Sequence, residues 1–157
     1  MTIQPAKSYR VMVVDDNDGD RELIQEAIAI ASLPIELIPF HQAQQVLHYF
    51  SQGNAVDLLL VDLNMPSMGG AELVSRLLTD PRLATIPIVV MSNSALSLAM
   101  GHFDGQLMVP SFTKPSTWKG YQFLAREIHA CLQQLDGSAS PRGIGVRLAE
   151  RMRTPTP

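Results

Sequence analysis

Four stretches of the sequence run from apolar residues into residues able to do chemistry. Val13-Val14 leads into Asp15-Asp16, Leu60-Val61 into Asp62, Val89-Val90-Met91 into Ser92, and Phe112-Thr113 into Lys114-Pro115. Carboxylates gathered at adjoining strand ends repel one another, and their ionised state calls for a cation. Oxygen ligands with access to water suit a hard ion such as Mg²⁺, which takes one or two carboxylates and keeps several waters. Such an ion also neutralises phosphoryl oxygens. An ionised carboxylate is itself a nucleophile, has no proton to lose, and can form an aspartyl phosphate. A lysine and a hydroxyl would then face the new phosphoryl oxygens as donors.

That chemistry requires elements that bring the stretches together. Tyr9 to Asp15 reads as a strand, and Leu23, Ile24, Ala27, Ile28 and Ala31 then recur at helical spacing. Ile35 to Phe40 is a second strand, followed by a short helix stripe at Val46, Leu47 and Phe50. Val56 to Asp62 is a third strand, and Leu73, Val74, Leu77 and Leu78 mark a helix stopped by Asp80-Pro81. Ile86 to Ser92 is a fourth strand, residues 95–105 a helix interrupted by Gly101 and Gly105, and Leu107 to Phe112 a fifth strand. Leu124, Ile128, Leu132 and Leu135 give the last helix.

Strands alternating with helices of this size predict an α/β, flavodoxin-like (βα)5 fold with a doubly wound parallel sheet. Near-continuous apolar strands are buried on both faces. Pro110, inside the expected fifth strand, suits a sheet edge and thus a 2-1-3-4-5 order. In open sheets of that order ligands bind at the carboxyl ends of strands one and three, where the order reverses. Asp15-Asp16 and Asp62 stand at those two ends.

The chain has 157 residues and a formal net charge of −3, which fits one domain and makes no electrostatic case for nucleic-acid binding. Its single cysteine, Cys131, rules out an intrachain disulfide and reads as helix packing. No apolar run approaches the roughly 20 residues of a membrane helix, and no secretory signal opens the sequence, so a soluble, cytoplasmic protein without membrane contact is expected. His41, His48, His102 and His129 share no metal-ligand spacing, and Trp118 is expected to pack locally. Residues 8–136 form the expected domain. Residues 137–157, with four Arg against one Glu and many Gly, Ser and Pro, read as a flexible basic tail outside the core, with at most a helical turn near Val146 to Met152.

Across residues 8–135 the chain resembles the receiver domain of bacterial response regulators. The resemblance rests on Val13-Val14-Asp15-Asp16-Asn17, Leu60-Val61-Asp62-Leu63-Asn64-Met65-Pro66, the strand end at Ser92, and Phe112-Thr113-Lys114-Pro115, in order. It implies that Asp62 is the phosphoacceptor. It implies Mg²⁺ ligation by Asp16, Asp62 and the main-chain carbonyl of Asn64, with Asp15 acting through water. It implies that Ser92 and Lys114 sense the phosphoryl group and that a sensor histidine kinase or phosphotransfer protein donates it. The Lys114–Pro115 bond resembles the cis peptide of the family. The stretches from Asp15 to Arg21 and from Asp62 to Pro66 are similar to the single-domain group paired with phytochrome-type kinases. Nothing after residue 136 has room for an output domain, so a stand-alone receiver is expected; partner binding, homodimerisation and onward phosphotransfer are all open to it.

Three departures from the family pattern stand out. The aromatic usually found three residues before the lysine is Ser111 here, with Phe112 one residue later; Leu107-Met108 replace the usual Gly-Ala; and Asn93 follows Ser92. Adjacent strand residues face opposite sides, so Phe112 replaces the missing aromatic only if a bulge, for which Pro110 offers a cause, intervenes. Phosphorylation chemistry is expected intact, with weak or unconventional coupling to the face of the fourth helix and fifth strand. Two rival functions remain. A degenerate receiver would serve as an interaction scaffold without phosphate-driven switching. A Mg²⁺-dependent aspartyl phosphatase would need a second aspartate two residues after the nucleophile, where Asn64 stands. We expect a phosphoacceptor that promotes its own phosphorylation and dephosphorylation, not an enzyme acting on other substrates.

Overall fold

The computed structural model describes residues 7–83, 85–93, 109–134 and 141–153. Its elements run β1 (Tyr9–Val14), α1 (Asp18–Ile30), β2 (Ile35–Phe40), α2 (Ala43–Ser51), β3 (Leu58–Asp62), α3 (Gly70–Leu78), β4 (Ile88–Ser92), β5 (Ser111–Thr113), α4 (Trp118–Gln133) and α5 (Pro141–Arg153). The five strands form one parallel sheet in the order β2-β1-β3-β4-β5. The expected 95–105 helix and the Leu107-Met108 position lie outside the described residues.

Alternation along the central strands splits the core in two. Val11, Val13, Leu58, Leu60, Val89, Met91 and Phe112 point to the side covered by α1, α4 and α5. Met12, Val14, Leu59, Val61 and Val90 point to the side covered by α2 and α3. Both faces of β3, of β4 and of Val11–Val14 in β1 are thus buried, which is why these strands read as near-continuous apolar runs.

The structure differs from the sequence expectation at the carboxyl-terminal third. The fifth strand is Ser111–Thr113, and Pro110 precedes it. Proline has no N–H to give, but the Pro110 carbonyl still accepts from the Val90 N–H at 2.9 Å. Pairing is regular, Val90 with Ser111 and Met91 with Phe112, so no bulge shifts Phe112 into the place of Ser111. Phe112 is buried beside Met91, and Ser111 faces the opposite side. The described chain contains no cis peptide, so the Lys114–Pro115 bond is trans, against the expectation.

The segment read as a flexible tail contains helix α5, and its side chains enter the core. Ile144, Leu148 and Ala149 are buried with Val89, Met91 and Phe112. Gly145 brings the helix backbone close: a Cβ there would lie 3.4 Å from both the Ile88 carbonyl oxygen and Val89 Cγ2. Arg151 pairs with Glu127 of α4 at 2.9 Å, and Arg153 Nη2 donates to the Ser111 carbonyl on the β5 edge at 2.7 Å. The physical reason is area. Helix α4 packs chiefly on α1, leaving the β4–β5 part of that face for α5 to cover.

Candidate functional site

The site is built by register. Val14 lies opposite Val61, Asp62 opposite Met91, and Ser92 opposite Thr113, so Asp15 and Lys114, just beyond β1 and β5, emerge beside Asp62 and Ser92, the last residues of β3 and β4. The Lys114 N–H continues the ladder, donating to the Ser92 carbonyl at 2.7 Å. Local turns then fix the side chains. Asn17 caps α1 by accepting from the Asp20 N–H at 2.9 Å, while its own N–H donates to Asp15 Oδ1 at 3.0 Å. The Arg21 guanidinium, one turn into α1, donates to the Asp15 carbonyl. At the far end of β3, the Asn64 N–H donates to Asp62 Oδ1 at 3.2 Å.

Helix α3 begins in direct contact with the carboxyl end of β3. A Cβ on Gly70 would lie 2.3 Å from the Asp62 carbonyl oxygen and 2.9 Å from Leu63 Cα, so only glycine admits this approach. The Gly70 N–H donates to the Leu63 carbonyl at 3.2 Å, closing the loop that carries Asn64.

Asp15, Asp16 and Asp62 each offer an oxygen within 4.8 Å of the others, the one such group of potential metal ligands among the described residues. Asp15 and Asp62 are buried, whereas Asp16 is exposed. Lys114, also buried, faces them: its Nζ lies 2.7 Å from Asp15 Oδ2, 3.0 Å from Asp20 Oδ2 and 3.6 Å from Asp62 Oδ1. The Asp15 contact is the shortest of the three ion pairs. Ser92 joins through Asn64, whose side-chain Nδ2 lies 3.1 Å from Ser92 Oγ.

The electrostatics follow from this crowding. Burial, then the neighbouring Asp15 charge, push the Asp62 carboxyl up to about 7, although Lys114 and the Asn64 N–H pull it down. Burial also works against the Lys114 charge, but the Asp15 and Asp20 carboxylates outweigh it and hold the ammonium above its usual range. A single ammonium therefore does not neutralise the cluster. Three crowded carboxylates, two of them buried, with an opening to solvent at Asp16 suit a hard divalent cation.

The structure thus brings Asp15, Asp16, Asp62 and Lys114 together, with Ser92 and Asn64 at the rim. Asp20 and Tyr121 are additions that sequence reasoning missed: Asp20 bonds Lys114, and the Tyr121 hydroxyl donates to Asp20 Oδ1 at 3.1 Å. The signal for Asp20 was its place in the first turn of α1, three residues after the Asn17 cap. Nothing in the sequence links Tyr121 to it. A cleft lined by Asn54, Asp57, Arg82 and Pro87 lies at the opposite ends of the strands, away from this chemistry. Cys131 is buried in the core as expected, and Trp118 is 36% exposed at the start of α4. Among the described residues no helix is long and apolar enough to cross a membrane.

Comparison with known proteins agrees with this geometry. Residues 11–109 match the response regulator receiver domain family. The two-component response regulator-like protein PRR37 of Oryza sativa subsp. indica is 28% identical over 145 residues, covering 88% of this chain but 18% of that protein. Response regulator Rcp1 of Synechocystis is 28% identical over 90 residues, which is 54% of this chain and 61% of Rcp1. The chain therefore spans less than two-thirds of either relative. The structure of the Mn(2+)-bound form of Rcp1 has a TM-score of 0.61 at 23% identity over 73% of this chain and 89% of that one. The phosphorylated cyanobacterial phytochrome response regulator RcpA has a TM-score of 0.71 at 25% identity, covering 86% of this chain and 99% of RcpA. With the sheet order, the acidic cluster and the lysine in place, the chain belongs to the response regulator receiver domain family, the receiver of two-component signalling.

Proposed function

We propose that Asp62 accepts a phosphoryl group from a phosphohistidine on a sensor histidine kinase or phosphotransfer protein. A carboxylate oxygen of Asp62 attacks phosphorus, the P–N bond breaks, and the histidine nitrogen leaves with the bonding pair and takes up a proton. The observation that carries this reading is the buried Asp62 carboxyl, 3% exposed, grouped with Asp15 and Asp16 and facing Lys114 at 3.6 Å. Mg²⁺ supplies charge neutralisation at the phosphoryl oxygens, and Asp16, Asp62 and the Asn64 carbonyl would hold it, with Asp15 acting through water. The Mn(2+)-bound form of Rcp1 supports a divalent cation, and the phosphorylated state of RcpA supports a phosphoacceptor.

The chain's own residues then divide the work. The Asn64 N–H orients Asp62 by holding one of its oxygens. Lys114 offers a charge-assisted donor to the transferred group, and the Ser92 hydroxyl, beside Asn64, offers a neutral one. The Asn64 side chain carries no acidic proton for a leaving group, which disfavours an enzyme acting on separate phosphate esters. The product is a signalling state, read by partner binding, homodimerisation or onward transfer.

Incubation with Mg²⁺ and acetyl phosphate, followed by intact mass measurement, tests the reading. One added phosphoryl group is expected, absent in D62N. An unmodified chain would refute phosphoacceptor function and favour an interaction scaffold.

A further inference from the structure

Lys114 does not serve the acidic cluster alone. Its Nζ carries three N–H groups and faces three carboxylates, of which Asp15 and Asp62 belong to the candidate cation site and Asp20 does not. Asp20 sits on α1, 3.0 Å from Nζ through Oδ2. Its other oxygen, Oδ1, accepts the Tyr121 hydroxyl at 3.1 Å. One carboxylate thus bridges the site lysine and a phenol on α4.

Tyr121 is well placed to respond. Its ring is buried in the core shared by α1, α4 and α5, so its hydroxyl has little freedom to find another partner. The start of α4 is also pressed against the residue after Lys114: a Cβ on Gly120 would lie 2.7 Å from Pro115 Cβ. Trp118, one turn before Tyr121 and the sole tryptophan of the chain, lies on the same helix.

We propose that Asp20 is the resting partner which Lys114 gives up when Asp62 is phosphorylated, and that Tyr121 passes this release to helix α4. The inference rests on Asp62 being the phosphoacceptor. Phosphorylation adds strong anionic acceptors at Asp62, and an ammonium shared between anions moves toward the greater charge. Asp20, 20% exposed at its side chain, then turns to water, and the Tyr121 hydroxyl loses or follows its acceptor. Asp20 is a positioning residue here, acting through Lys114. The path reaches α4 on the Phe112 side of the sheet, without using Ser111.

The test uses the full chain, D20N and Y121F. Beryllofluoride with Mg²⁺ is titrated while Trp118 emission is followed, and intact mass after acetyl phosphate treatment reports phosphorylation. Wild type should give a saturable emission change. D20N removes the competing charge, so it should half-saturate at a roughly tenfold lower beryllofluoride concentration, the size of one charge-assisted hydrogen bond. Y121F should still gain one phosphoryl group but lose the emission change. A purely structural role for Asp20 would lower the melting temperature of D20N and leave half-saturation where it is in wild type, and that result would overturn the proposal. So would a full emission change in Y121F, or none in phosphorylated wild type. A wild-type chain that gains no phosphoryl group would instead overturn the phosphoacceptor reading beneath it.

Discussion

Replacing Asp62 by asparagine should make the protein more stable, although it removes the residue on which the proposed function depends. Burial and the Asp15 charge raise the Asp62 carboxyl from its ordinary 3.8 to about 7. The native state therefore holds a proton that the unfolded chain releases near pH 4. Between these values the folded protein binds more protons than the unfolded one, so stability falls as pH rises through the window and levels off above about 7. Ionising a carboxyl displaced this far costs at most about 4 kcal/mol. Local relaxation and sharing of charge with Asp15 reduce that to roughly 2–4 kcal/mol. The amide of the D62N variant would keep an oxygen for the Asn64 N–H and present an N–H donor to the neighbouring carboxylates. D62N should thus gain ~2–4 kcal/mol at pH 8, or roughly 5–15 °C in melting temperature for a chain of this size. The assay is urea denaturation of both proteins at pH 4, 6 and 8 in metal-free buffer, repeated with Mg²⁺. The gap should vanish near pH 4, open by pH 8, and narrow when Mg²⁺ stabilises wild type. A gap that is independent of pH, or a D62N less stable than wild type at pH 8, would refute the electrostatic reasoning.

Three further outcomes follow from packing. L148A empties a fully buried position between α5 and the sheet and should cost about 2–4 kcal/mol, measurable by thermal melting. G70A forces a methyl group to within 2.3 Å of the Asp62 carbonyl oxygen, so it should both destabilise the fold and weaken Mg²⁺ binding by isothermal calorimetry. The Cys131 thiol is pushed up to about 11 by burial and by Glu127, so iodoacetamide at pH 8 should label native protein slowly and L148A faster.

Much of the site was legible because each strand ends where its apolar run meets a polar residue. Asp15, Asp62 and Ser92 stand at such junctions, Lys114 follows the short strand Ser111–Thr113, and parallel pairing brings these strand ends together whatever the intervening loops do. The strand order was also legible, but part of its argument was not sound: Pro110 precedes β5 instead of lying in it. Of helix α5 only a short helical turn near Val146 to Met152 was legible, because Pro141, Gly143, Gly145 and four arginines suggest a solvated tail. The overlooked signal is the spacing of Ile144, Leu148, Ala149 and Met152, an apolar stripe at helical period. The Lys114–Asp20–Tyr121 chain was not legible at all. It joins residues 94 and 101 positions apart through side-chain geometry, which no local pattern encodes.

The covering of β4 and β5 by α5 has a consequence for biosynthesis. Chains emerge from the ribosome amino-terminus first, and α5 leaves after every strand of the sheet. Until it emerges, a nascent chain shows Val89, Met91 and Phe112 incompletely shielded, a surface suited to chaperone capture. Premature termination before residue 141 would leave every residue of the candidate site encoded yet release a sticky polypeptide, marked for proteolytic clearance.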